Sequence, residues 1–249
     1  MLDARLLALP LLLVSLLASA QETSFGILGG VEFAHRTIRA EEEGQDAVVD
    51  AVSDATEFVL RPAIGIEFER QLNSLFSVAL QLRYQSAGYE YVDAEARFDP
   101  LAGEETTFLS TASNFRYDYI ALPIGAAEQW GQGAYRFYAE EYLVPMLNIS
   151  SQRSIDWDPD LTATIEVPGS VDVERVQDFQ LGVRVGFGVQ RTWNDILRVR
   201  LGLSGHYNFT LTQDDSFFRE HLYGFGPQLS IARVWGYVEG QKTGDDIYY

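Results

Sequence analysis

Apolar and polar residues alternate with a period of two through most of the chain, and the clearest run lies at 179–189. There, every odd-numbered position carries Phe, Leu or Val, whereas the even-numbered positions carry Gln, Gly or Arg. Side chains of a β-strand point alternately to the two faces of a sheet, so this pattern indicates a strand with one apolar face. Similar or less regular runs occur at about 27–33, 58–69, 76–85, 115–127, 134–149, 197–209 and 223–231. The sequence therefore predicts eight strands.

The composition of the two faces distinguishes between two kinds of barrel. The apolar face is large and aromatic on strand after strand, whereas the other face mixes Gly, Ser, Gln, Arg and Glu. A membrane barrel turns an apolar face to lipid and fills its narrow interior with small and polar side chains. It must also be closed, because an open edge would leave unpaired backbone groups in hydrocarbon. We predict an all-β, eight-stranded antiparallel up-and-down transmembrane barrel over residues 21–236, followed by a polar tail at 237–249.

The lengths of the connections between these strands agree with a membrane barrel. Long and short connections alternate along the chain, three of each, and a last connection of intermediate length follows. Short periplasmic turns and longer external loops are typical of such barrels. In order, the predicted connections are about 39–56, 70–75, 88–114, 128–133, 150–177, 190–196 and 212–221.

Aromatic and acidic residues separate between the two ends of the predicted barrel. Trp130 and Trp193 fall in the short periplasmic turns, and Trp235 ends the last strand on the same side. Such a placement predicts an aromatic girdle at the periplasmic interface. The external loops instead concentrate carboxylates: Glu41, Glu42, Glu43, Asp93, Glu95, Glu104, Glu105, Asp156, Asp158, Asp160, Asp214 and Asp215.

The first twenty residues indicate export. Arg5 precedes an apolar run at 6–17, and Ala18-Ser19-Ala20 supplies the small-x-small pattern of a signal-peptidase site. The apolar run is too short to span a bilayer, so residues 1–20 are interpreted as a cleaved signal peptide. Together with the barrel pattern, this predicts a location in the bacterial outer membrane.

Net charge and cysteine content exclude several classes of function. The chain has 36 Asp and Glu against 18 Lys and Arg, a net charge of -18, which argues against nucleic-acid binding because phosphates require a basic surface. It has no Cys, which removes disulfides, thiolate metal sites and cysteine nucleophiles. The expected partners are outer-membrane lipid and, at the acidic loops, cations or envelope proteins.

Two segments carry a resemblance to a known group of proteins. The Gly-rich strand at 182–189 and the segment Tyr119-Ile-Ala-Leu-Pro-Ile-Gly125 resemble the outer-membrane β-barrel domain common in Bacteroidota. That group includes PorT-like proteins and is similar in architecture to OmpA and OmpX barrels. The Leu122-Pro123 pair, the turn at 130–133 and the aromatic segment at 135–138 match the order of elements in the family. The resemblance implies the fold and the location, and it carries over no catalytic residue.

Eight charged residues fall on the predicted inward face. A charge left unpaired in a narrow barrel is costly, so opposite signs are expected to pair across strands. The hypothesis is an ion-pair plug, which disfavours an open pore, although a small channel stays an alternative. The residues concerned are Glu32, Glu67, Glu69, Arg61, Arg83, Arg184, Arg198 and Arg200.

No residue is predicted to be catalytic, cofactor-binding or metal-binding. His206 with Ser204 is similar to the His/Ser pairing of lipid A deacylase barrels, but the order of the two residues is reversed and both point inward. A lipid-modifying barrel enzyme is therefore only an alternative, and a hydrogen-bonded interior His is favoured. The segment 156–160 has alternating carboxylates but lacks the Gly and terminal Glu of an EF-hand. The Gly-x-Gly pairs at 186–188 and 224–226 lie inside strands, without a phosphate-binding helix.

Overall fold

The computed structural model describes most of residues 22–236. The predicted signal peptide and polar tail lie outside the described residues, as do the acidic residues predicted in the external loops other than Glu105 and Asp156. The described ranges are 22–40, 46–92, 96–98, 105–108, 110–157, 170–173, 175–212 and 218–236.

Strands dominate the described chain, which contains one short helix. Among these residues, no α-helix has the length and apolar character needed to cross a bilayer. The elements are β1 (Thr23–Ala40), α1 (Asp46–Asp54), β2 (Thr56–Glu57), β3 (Val59–Gln71), β4 (Phe76–Tyr91), β5 (Ala96–Phe98), β6 (Glu105–Phe108), β7 (Ser110–Ala121), β8 (Ile124–Trp130), β9 (Tyr135–Trp157), β10 (Ser170–Asp172), β11 (Phe179–Trp193), β12 (Leu197–Asn208) and β13 (Phe218–Trp235).

Antiparallel pairing closes the sheet into a ring of eight wall strands. Each of these strands pairs with the next along the chain, and β1 pairs with β13 from Thr23↔Trp235 to Ala40↔Phe218. β7 and β8 are successive halves of one wall strand, since both lie between β4 and β9. The strand breaks at Pro123, which has no N–H to donate to the sheet. The predicted eight-stranded up-and-down barrel is confirmed.

The alternation of the sequence separates the two faces of this wall. Along β11, for example, Val183, Val185 and Phe187 are exposed on the outside, while Gln180 and Arg184 are fully buried. The same division holds along β1, β3, β4, β12 and β13, so the apolar side chains form a continuous outer belt. Small and polar side chains fill the interior, as expected for a membrane barrel.

Several wall strands extend further at their outer ends than the sequence predicts. β4 continues to Tyr91, β7 starts at Ser110 and β9 reaches Trp157, although 88–114 and 150–177 were predicted as loops. Beyond the apolar belt the outer face of these strands is polar, with Gln152 and Ser154 as examples. Both faces are then polar, and the alternation that marks a strand in the sequence disappears.

Short regular elements also occupy the connections. The predicted loop 39–56 contains the helix α1 and the strand β2, and 88–114 contains the hairpin of β5 and β6. At the opposite end of the barrel the turns are short, with three residues between β11 and β12. The predicted difference between the two ends is therefore present. It is the regular structure inside the long connections that the sequence pattern did not indicate.

Candidate functional site: the barrel interior

A buried carboxylate near the periplasmic end holds two arginines of a distant strand. Glu69 of β3 accepts hydrogen bonds from Arg200 Nη1 at 2.5 Å and Nη2 at 3.0 Å, and from Arg198 Nη2 at 3.0 Å. Ser77 of β4 donates a further bond to Glu69 Oε1 at 2.7 Å. All four residues are buried. One carboxylate thus joins strands that are not neighbours in the wall, across the interior of the barrel.

Uncharged amides extend this cluster around the ring. Gln190 of β11 accepts from Arg200 Nε at 2.8 Å and donates to Gln129 of β8 at 2.6 Å. Gln81 of β4 donates to Glu67 Oε2 at 2.8 Å, and Arg200 lies 3.6 Å from the other oxygen of Glu67. The periplasmic half of the interior is consequently one connected network, in which hydrogen bonds strengthen each other at low local dielectric.

Just outside the membrane-spanning strand β1, Glu22 provides a second anion for this cluster. Its Oε1 lies 3.4 Å from Arg198 Nη1. Burial raises the pKa of Glu22 above its usual range, and the neighbouring Arg198 opposes that shift. Glu22 is therefore a weaker counter-ion than Glu69.

A second ion cluster lies in the middle of the barrel. Glu32 Oε1 is 2.7 Å from Arg184 Nη1, and Glu32 Oε2 is 2.8 Å from His206 Nδ1. Arg184 also donates to Ser204 Oγ at 3.0 Å and to Gln85 Oε1 at 2.8 Å. These contacts connect β1, β4, β11 and β12, so the interior is cross-linked here as well.

Ser204 and His206 each contact a charged residue of this middle cluster. Ser204 Oγ accepts a hydrogen bond from the Arg184 guanidinium at 3.0 Å. His206 faces Glu32, and both residues are buried inside the wall, away from lipid. The structure therefore places His206 in the interior, with Nδ1 at 2.8 Å from a Glu32 oxygen.

Two of the predicted interior cations are not ion-paired with any described residue. Arg83 is buried and donates to Gln81 Oε1 at 3.3 Å and to Gln228 Oε1 at 3.1 Å. Arg61 of β3 donates to Asn114 Oδ1 at 2.5 Å and to the Phe115 carbonyl at 2.9 Å, both on β7. The expectation that every interior charge pairs with its opposite was therefore wrong for these two, because neutral oxygens satisfy them instead.

The outer half of the interior combines an aromatic cluster with one ion pair. Tyr89, Tyr117, Tyr119 and Leu222 are fully buried there and belong to one apolar cluster. Arg36 lies over the ring of Tyr89 at 3.8 Å, and it forms an ion pair with Glu220 at 3.0 Å. Together with the two ion clusters, these side chains occupy the described interior near its periplasmic end, in its middle and in its outer half.

The alternating carboxylates at 156–160 lie mostly outside the described residues. Asp156 lies on β9, whereas Asp158 and Asp160 are outside the described residues. In the part of the chain that the structure covers, no group of three or more His, Cys, Asp or Glu side chains is arranged to hold a metal ion.

The outer surface has the organisation of a lipid-facing wall. Trp130, Trp193 and Trp235 end β8, β11 and β13 on the same side and are exposed, as the predicted girdle requires. Arg191 lies 5.0 Å from the Tyr135 ring and 4.8 Å from the Trp193 ring at that rim. An apolar belt above an aromatic girdle, around a polar interior, is the signature of an outer-membrane barrel. The protein is therefore an outer-membrane β-barrel.

Similarity to known proteins is found in the fold and not in the sequence. No protein-family model matches the sequence, and no curated protein matches it. Similar solved structures include OprG of Pseudomonas aeruginosa, with 8% identity, TM-score 0.42 and coverage of 88% of this chain and 98% of OprG. The attachment invasion locus protein Ail of Yersinia pestis has 10% identity, TM-score 0.39 and coverage of 87% and 99%. The outer membrane protease OmpT of Escherichia coli has 10% identity, TM-score 0.39 and coverage of 86% and 97%.

Proposed function

We propose that this protein is a non-enzymatic, closed outer-membrane barrel, which serves as a membrane-anchored scaffold and presents its outer ends to partners. The observation that carries the proposal is the buried network around Glu69, Arg198 and Arg200. It joins opposite sides of the wall through charge-assisted hydrogen bonds, which are the strong ones. An eight-stranded barrel is only wide enough for its own side chains, so such a network leaves no continuous path for ions.

Planar-bilayer recording tests the closed barrel against the alternative of a small channel. The folded wild-type protein is expected to show no steady conductance. The variant Arg198→Ala removes one guanidinium group from the network and is compared with the wild type. Its mobility on a gel shows whether it is folded. Steady wild-type currents would contradict the scaffold proposal, and conductance confined to a well-folded Arg198→Ala would favour a gated channel instead.

The enzymatic alternative is a lipid-modifying barrel that uses His206. The contacts of His206 with Glu32, and of Ser204 with Arg184, favour a structural role for both. Mass spectrometry of lipid A from cells with and without the protein is expected to give the same species. A lipid A species that disappears with the gene and also with His206→Gln would support the enzyme.

The outer ends of the wall are the proposed contact surface. β4, β7 and β9 continue beyond the apolar belt with polar outer faces, which include Arg116 and Gln152. The acidity of the external connections suits cations or basic envelope proteins. Calorimetric titration of the folded protein with Ca²⁺ tests this, since neutralising Glu41, Glu42 and Glu43 to Gln is expected to weaken binding.

We also propose a relation to the Bacteroidota outer-membrane barrels. Leu122 and Pro123 stand at the break between β7 and β8, and a short turn then leads to the aromatic start of β9 at Tyr135. This is the order of elements that the resemblance implies. A search of Bacteroidota genomes for barrel sequences that share this Leu-Pro break would test the relation.

A further inference from the structure

One carboxylate lies on the outer face of the apolar belt. Glu141 of β9 is exposed, and its partners in the register are Ala126 of β8 and Val185 of β11. It forms no hydrogen bond or ion pair with any residue that the structure describes. The other charged side chains on the outer face of the wall lie at the periplasmic rim or in the polar outer ends, for example Arg70, Glu128, Arg191, Arg233, Arg116 and Asp118.

The depth of Glu141 places it in hydrocarbon. It is six residues above Tyr135, the first residue of β9. At a rise of about 3.3 Å per residue and a tilt of about 40°, this corresponds to roughly 15 Å above the periplasmic girdle. An apolar belt is about 25 Å tall, so Glu141 lies near its middle. A carboxyl group at that depth has no water to bond with and requires a partner.

The surroundings of Glu141 form a groove on the outer face of the wall. The groove encloses about 480 Å³ and is lined on one side by Ala126 and Ile124, and on the other by Val183 and Val185. Beside Glu141 on its own strand is the small Ala139, whereas Phe187 of β11 projects outward and is 63% exposed. Two small side chains, Ala126 of β8 and Ala139 of β9, therefore lie next to Glu141, whereas Ile124 and Phe187 project further along the groove.

We propose that this groove is the interface of a homodimer within the membrane, in which Glu141 of one copy bonds to Glu141 of a second copy. Two copies in one membrane are related by a two-fold axis along the membrane normal. An axis through Glu141 places the β11 side of each copy against the β8 side of the other and brings the two carboxyl groups together beside the small Ala126 and Ala139. In its neutral form each carboxyl group donates one hydrogen bond and accepts one, so the pair satisfies itself without any other partner.

The choice of a second copy follows from charge and shape together. In the described part of the belt there is no cation that a neighbouring copy could offer to Glu141, so a pairing between copies must join like groups. Small residues that allow close approach, combined with a polar side chain, are the features that drive association inside membranes. Both features meet at Glu141 and Ala139.

Cysteine cross-linking tests the interface directly, because the chain has no native Cys. Ala139→Cys, reconstituted in phospholipid vesicles, is expected to form a cross-linked dimer with a short bismaleimide. Ile27→Cys is the matched control, since Ile27 lies in the belt on β1, at the opposite side of the ring, and is 62% exposed. Absence of dimer for Ala139→Cys, or equal dimer for Ile27→Cys, would overturn the proposal.

The contribution of the carboxyl group is separated by two further changes in the Ala139→Cys protein. Glu141→Gln retains a donor and an acceptor and is expected to preserve the dimer. Glu141→Leu removes both and is expected to shift the monomer–dimer equilibrium toward monomer by about tenfold. Gel mobility before and after boiling reports whether each variant is folded. Equal cross-linking of the Gln and Leu variants would show that Glu141 does not hold the copies together.

Discussion

The most informative perturbation of the interior is Glu69→Gln. The substitution keeps the shape of the side chain and removes the charge that Arg198 and Arg200 share. Both guanidinium groups would then be buried beside an amide whose NH₂ group is itself a donor. Breaking a buried ion pair by removing one partner typically costs about 3–5 kcal/mol of folding free energy.

The remaining anions determine where in that range the loss falls. Glu67 lies 3.6 Å from Arg200, and Glu22 lies 3.4 Å from Arg198, so each cation retains one weaker partner. We therefore expect the lower limit, about 3 kcal/mol, which corresponds to a change of roughly 150-fold in the ratio of folded to unfolded protein.

Equilibrium unfolding in urea, with the protein reconstituted in vesicles and followed by tryptophan fluorescence, measures this loss. Glu128→Gln is the control, because Glu128 is exposed at the periplasmic rim and a surface change there is expected to stay within about 0.5 kcal/mol. A Glu69→Gln protein within about 1 kcal/mol of the wild type would refute the argument that this carboxylate organises the interior.

Three further predictions address the wall and the middle cluster. Gly88→Ala is expected to lower the free energy of unfolding by about 2 kcal/mol or more in the same assay, because φ is +142° and an added Cβ would collide with the Phe115 carbonyl. Gly29→Ala is the control, since the atom nearest to its added Cβ would be Ala63 O at 3.7 Å. Leu201→Arg, which puts a cation on the lipid face, is expected to cost about 2–4 kcal/mol, and a neutral result would argue against lipid contact at that position. A double-mutant cycle of Glu32→Gln and Arg184→Met is expected to give a coupling of about 1–3 kcal/mol; additive effects would mean that their 2.7 Å contact contributes nothing.

The barrel itself could be predicted from the sequence because lipid imposes a simple pattern. Along 179–189 one face must be apolar and the other must be small or polar, and the structure places these residues as the alternation indicates. Trp193 and Trp235 were likewise predictable, since an amphipathic ring has one favourable depth. The same rule fails beyond the belt, where water contacts both faces of β9 at Gln152 and Ser154 and no alternation remains.

The interior contacts could be predicted in kind but not in detail. Alternation identifies Glu69 and Arg200 as inward, yet it does not say which inward residues meet across the ring. Arg61 shows the difficulty, because it reaches past the neighbouring strand β4 to Asn114 of β7. Gly88, in the strand between them, has a backbone conformation that favours glycine. The close approach of Arg61 to β7 depends on how the strands pair in the folded barrel, which the sequence pattern does not show.

The adjacent carboxylates Glu140 and Glu141 illustrate a different limit. Strict alternation does not allow two adjacent residues to point inward together without a bulge. In the structure, β9 keeps its regular pairing with β8 and β11, Glu140 is buried, and Glu141 faces outward. Hydrophobicity alone would keep the Glu141 side chain away from lipid. The register of β9 with its neighbouring strands nevertheless turns it outward.

The central claim is that the apolar face meets lipid and the charged face lies inside a closed barrel. Gel mobility of the folded protein with and without boiling, together with sucrose-gradient fractionation of membranes, tests it most directly. The account predicts a shift in mobility on boiling and recovery of the protein in the outer-membrane fraction. A soluble periplasmic protein with no shift would mean that the two faces are assigned the wrong way round.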